Sequence, residues 1–141
     1  MQIPHTEEET RALEGMIARR RDLHAHPEEG WCEFRTTAVI VRELETLGFT
    51  VLTGQDVICP EARMGVVEER VREARQKALS DGADPATLER MGDFTGCVGV
   101  WHTGRPGPVT ALRFDIDALR GITESTSPEH RPAALGFASP V

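Results

Sequence analysis

Asp115 and Asp117 hold the pattern with the most chemical potential, because they follow an apolar run through Val109, Ala111 and Leu112. Carboxylates at i and i+2 on a strand end project to one side, where they can share a divalent cation or divide acid and base work. The same short pattern also serves plain solvation or hydrogen bonding. His24-Ala-His26, with Glu28 and Glu29, has the residue types of a metal cluster. Its spacing argues against one: on a helix, residues two apart do not face each other. The last helical turn also favours cationic side chains on electrostatic grounds alone. Cys32, Cys59 and Cys97 are widely spaced with no neighbouring His in sequence, and fit small packed side chains better than nucleophiles. Gly96-Cys-Val-Gly99 lacks the third glycine and the following helix of a dinucleotide fingerprint. Arg19-Arg-Arg21 reads as a solvated helix face.

The elements that must position these residues can be read from capping and periodicity. Thr6-x-x-Glu9 has capping-box spacing, and Ala12, Leu13, Met16, Ile17, Arg20 and Leu23 continue it as a helical stripe able to face a core, until Pro27 stops the helix. A second helix is expected over 33–47, burying Thr37, Ile40, Val41, Leu44 and Leu47 and ending at Gly48, where a left-handed cap belongs. Residues 49–52 read as a strand. A helical insert over 60–91 follows. Val67, Val71, Ala74 and Ala78 mark its first helix, and Asp84-Pro85 has the N-cap and N1 chemistry of its second. Residues 96–102 and 109–114 read as strands joined in a hairpin through Thr103-Gly-Arg-Pro-Gly-Pro108. The stretch 118–141 shows no periodicity and reads as a loop-like tail.

Composition narrows the function classes. The chain has 141 residues, 23 acidic against 16 basic, for a net charge of −7. Non-specific nucleic-acid affinity comes from clustered Lys and Arg, so this balance argues against it. No window approaches the roughly 20 apolar residues of a membrane helix. Three widely spaced cysteines and an acidic N-terminus without an apolar run point to a reducing cytoplasm.

Longer strings carry more. Arg20-Arg-Asp-Leu-His-Ala-His-Pro-Glu-Glu-Gly-Trp31, Glu33-Phe-Arg-Thr36, Leu44-Glu-Thr-Leu-Gly-Phe49 and Ala111-Leu-Arg-Phe-Asp-Ile-Asp-Ala-Leu119 resemble, in order, the start of a metallo-amidohydrolase family. That family includes auxin-conjugate amidohydrolases, hippurate hydrolases and p-aminobenzoyl-glutamate hydrolase. The insert from Met64 to Met91, Phe94-Thr-Gly96, Thr103–Pro108, His130-Arg-Pro132 and Gly136-Phe-Ala-Ser139 are similar to the A subunit branch of the last of these.

The resemblance implies an α/β fold: the N-terminal part (1–117) of a zinc-exopeptidase-like catalytic domain, with two long helices, about three strands and the insert. It implies cleavage of the amide of p-aminobenzoyl-glutamate or a related N-acyl amino acid, with two divalent ions (Zn or Mn) in the full-length family. By position Asp117 matches the clan's site Asp and Asp115 replaces its His, which makes these two the expected catalytic-site residues. The family's Cys-Gly-His-Asp-Gly-His motif belongs just beyond Ser139 and is absent. The chain alone is therefore expected to be inactive and to hold no cofactor. A second expectation is an interaction module that pairs with a related subunit in a homo- or hetero-oligomer. The haloacid-dehalogenase phosphotransferases also run a strand into Asp-x-Asp. Here Ala118 and Leu119 replace the usual Thr or Val, and the single lysine, Lys77, lies upstream.

Overall fold

A computed structural model describes residues 6–121 and 123–140. Its contacts divide the chain into Glu28–Ala118 and a second unit joining Met1–Pro27 to Leu119–Val141.

In the first unit, helix α2 (Phe34–Thr46) is followed by strand β1 (Thr50–Thr53), single helical turns at Gly54–Asp56 and Pro60–Ala62, helices α3 (Glu68–Ser80) and α4 (Pro85–Met91), and strand β2 (Cys97–Val100). Phe34, Val71, Ala78, Leu88 and Met91 form the core, which draws on α2, α3 and α4, with Val66, Ala74, Leu79 and Ala83 packed around it. Asp84 starts α4 as its sequence predicts, its carboxylate accepting the Thr87 N–H at 2.8 Å and the Thr87 hydroxyl at 2.7 Å. The start of α2 is capped from a distance. Glu28 accepts the N–H groups of Arg35 (2.9 Å) and Thr36 (2.7 Å), putting negative charge where the first-turn donors are unsatisfied. Gly48 has φ +85°, the left-handed cap expected after this helix. Leu47, expected on the buried face, is 64% exposed instead.

The strands differ from those the sequence suggests. Only two strands form among the described residues, and β2 pairs antiparallel with β1, not with 109–114. Thr50 faces Val100 and Thr53 faces Cys97. Gly99 makes this pairing fit under α2, since a Cβ there would stand 3.0 Å from Leu44 and 3.2 Å from Phe49. Residues 109–114 carry no strand. Val109, Leu112 and Phe114 are 98%, 78% and 76% exposed, so their apolar side chains gain no burial that would hold a ladder in register.

In the second unit, helix α1 (Glu7–Ala25) begins with the expected capping box, Glu9 N–H donating to Thr6 Oγ1 at 3.1 Å and Thr6 N–H to Glu9 Oε2 at 2.7 Å. The stripe expected to enter a core does not: no residue of α1 is fully buried. Arg20 and Arg21 also depart from the solvated-face reading, because both guanidinium groups lie over the Phe137 ring, at 5.7 and 5.0 Å. The tail is more ordered than its sequence suggests. It contains helix α5 (Arg131–Ala134), and Glu124 accepts the Ser139 N–H at 2.7 Å and pairs with His24 at 3.0 Å.

Candidate functional site

The turn before α2 and the segment 113–117 form one cleft. The Glu28 carbonyl that opens the turn accepts the Ala118 N–H at 2.7 Å, which ties the end of that segment down. Trp31 follows with φ +67°, the one non-glycine residue in the left-handed region among those described. A bulky residue there is strained and persists because its surroundings fix it. The fixing groups are plain. The indole N–H donates to the Met64 carbonyl at 2.9 Å, and the Arg63 guanidinium lies 5.6 Å from the indole and 4.5 Å from the Phe94 ring.

Glu33 turns inward and is only 8% exposed. The Thr95 hydroxyl donates to its Oε2 at 2.6 Å, and the Gly96 N–H donates to Thr37 Oγ1 at 2.9 Å, which pins 95–96 against α2. Burial pushes the Glu33 carboxyl above its ordinary range; the Thr95 hydrogen bond opposes this, and the charge of Asp117 adds to it. The resulting cleft, about 270 Å³, is lined by Gly30, Trp31, Glu33, Thr95, Gly96 and residues 113–117.

Both residues expected from the sequence line this cleft, although the strand expected to present them is absent. Their states differ. Arg113 forks onto Asp115, with Nη2 to Oδ1 at 2.5 Å and Nη1 to Oδ2 at 3.3 Å. Asp117 makes no hydrogen bond or ion pair with the described residues, and its Oδ2 lies 4.0 Å from where a Cβ on Gly30 would sit. Sequence reasoning misses Trp31 and Glu33. A bulky aromatic directly after Gly30 is the available signal for the first. The second is hidden by its place at a helix start.

The other sequence candidates are accounted for locally. His24 pairs with Glu124 and meets Phe137 edge-on at 6.0 Å, and His26 Nδ1 lies 2.8 Å from the Asp22 carbonyl. Burial pushes the Cys32 and Cys97 thiols up, which disfavours the thiolate. Nor do the cleft residues fit a metal centre. Among the described residues no group of three or more His, Cys, Asp or Glu is placed to hold an ion, Asp115 being committed to Arg113 and Glu33 to Thr95.

No family model matches the chain. Individual relatives do. Indole-3-acetyl-aspartic acid hydrolase of Enterobacter agglomerans is 42% identical over 129 residues, which is 90% of this chain and 29% of the relative. The A subunit of the Escherichia coli p-aminobenzoyl-glutamate hydrolase is 41% identical over 122 residues, 85% of this chain and 28% of its own. The chain is homologous to one stretch of these amidohydrolases. A protein from Haemophilus influenzae, named as a homologue of that same hydrolase subunit, is also 41% identical, over 90% of this chain and 30% of the relative. An aminobenzoyl-glutamate utilization protein from Klebsiella pneumoniae, known by crystal structure, superposes with a TM-score of 0.74 at 42% identity, covering 80% of this chain and 29% of that one. The chain thus spans less than a third of the length of these relatives, and its identity to the indole and aminobenzoyl hydrolases is level. No described helix is long and apolar enough to cross a membrane.

Proposed function

We propose that this chain forms the N-terminal part of the α/β catalytic domain of a zinc-exopeptidase-type amidohydrolase. The substrate class is an amide joining an aromatic acyl group to an amino acid, of which p-aminobenzoyl-glutamate is the leading example. Identity of 41–42% over 85–90% of the chain to hydrolases of such amides carries the reading. The cleft supports it by presenting Asp117 with both oxygens open to a donor, while Arg113 holds Asp115 in place beside it. The described residues contain no metal-binding group, so the reading gives them substrate-side work and expects no turnover from the chain alone.

The test is a graft that replaces the matched stretch of the E. coli hydrolase with this chain. Hydrolysis of p-aminobenzoyl-glutamate by the graft is expected, and a folded graft without it overturns the reading. The exposed Val109, Leu112 and Phe114 favour a second reading, an interaction module that docks on a related amidohydrolase subunit. Co-purification of the unmodified chain with such a subunit would support it.

A further inference from the structure

We infer that Trp31 is the platform on which the aromatic acyl group of a substrate stacks, and that the cleft accepts uncharged rings and rejects anionic ones. The inference rests on the reading above and adds the residue that selects the acyl group.

Three independent restraints hold the Trp31 side chain: a left-handed backbone, a hydrogen bond from the indole N–H to Met64, and the Arg63 guanidinium over the ring. Arg63 is itself wedged against Phe94 and bonded through Nη1 to the Asp93 carbonyl at 3.1 Å. A ring so fixed loses little freedom when a second ring stacks on it, which is what a pre-organised contact needs. Yet the indole is not consumed by the core. Trp31 is only partly buried and lines the cleft, whose volume of about 270 Å³ leaves room for an aromatic ring with its amide.

Charge decides what kind of ring. Glu33, Asp115 and Asp117 line the cleft against one cation, Arg113, and that cation is already paired with Asp115. An anionic ring substituent would meet uncompensated carboxylates, whereas an amide N–H beside the ring finds an open acceptor in Asp117. Asp117 Oδ2 lies 4.0 Å from where a Cβ on Gly30, the residue before Trp31, would sit, so that acceptor stands beside the backbone that carries the indole. The cleft therefore reads the aromatic amide and not the acidic amino acid.

The experiment titrates the 141-residue chain with p-aminobenzamide, cyclohexanecarboxamide and 4-carboxybenzamide, following the indole N–H resonance of Trp31, assigned by its loss in Trp31→Phe. p-Aminobenzamide is expected to shift that resonance saturably and to bind roughly five- to tenfold tighter than the saturated ring, the worth of one aromatic contact. The carboxylated ring is expected to bind more weakly than p-aminobenzamide. Trp31→Phe, followed through backbone amides, should bind p-aminobenzamide within about threefold of the parent, and Trp31→Leu at least roughly fivefold more weakly. If Trp31→Leu does not fold, the comparison of the three amides on the parent chain decides. Equal binding of the saturated ring, or no shift at Trp31, overturns the inference. Cyclohexanecarbonyl-glutamate cleaved by the graft as well as p-aminobenzoyl-glutamate also overturns it and leaves the amidohydrolase reading standing. Aryl-selective binding with a folded but inactive graft does the reverse.

Discussion

Glu33 is a carboxylate kept in the protein interior at an electrostatic cost. Its carboxyl sits above the ordinary value of 4.5 because burial disfavours the charged form, with the Thr95 hydrogen bond drawing it back down. The sign of the consequence follows from linkage. A carboxyl whose pKa is higher in the folded than in the unfolded state binds more protons when folded, so the chain loses stability as pH rises from about 4.5 through the folded value. Glu33→Gln keeps an acceptor for Thr95 and removes the charge. Its Tm relative to the parent should therefore climb between about pH 4 and pH 7, read by thermal melts across that range; a difference that shrinks with rising pH would contradict the assignment. Asp84→Ala removes two hydrogen bonds at the start of α4 and should lower stability by about 1 kcal/mol, measured by urea titration. Little or no change would mean that the core holds this helix without its cap.

At the scale of elements, what the sequence discloses depends on how local the cause is. The Thr6 capping box, the Asp84-Pro85 start of α4 and the stop at Gly48 are decided within a few residues, and all three are where the sequence places them. The partner of β2 is not a local matter. Turn-rich 103–108 suggests a hairpin to 109–114, whereas β2 pairs with β1, far earlier in the chain, because Gly99 lets the pair close under Leu44 and Phe49. Capping of α2 by Glu28 is hidden for the same reason, since the carboxylate reaches the helix from outside it. Gly99→Val should therefore cost roughly 1–3 kcal/mol through overpacking against α2. A Gly99→Val chain that melts with the parent would show that this contact is loose. Of the residues lining the cleft, Asp115 and Asp117 stand out in the sequence by type and spacing, whereas Trp31 and Glu33 depend on a strained backbone and on burial, which spacing does not reveal.

The whole molecule has more apolar surface than its own elements cover. Val109, Leu112 and Phe114 stand largely in solvent, and this chain matches less than a third of the relatives that share its sequence. Isolated, the chain should self-associate through these residues. Sedimentation velocity should show mass rising with concentration, and Ser at all three positions should return it to monomer. A parent chain monomeric at every concentration would refute this. Asp117 is the one carboxylate of the cleft with no partner among the described residues, and the proposed function sets it against the substrate amide. The measurement that tests that placement most directly is hydrolysis of p-aminobenzoyl-glutamate by the E. coli graft with and without Asp117→Asn. An active graft is expected, and that substitution is expected to slow it by roughly tenfold or more, the worth of a hydrogen bond to a charged acceptor, with its fold retained. Unchanged hydrolysis after Asp117→Asn would contradict that placement.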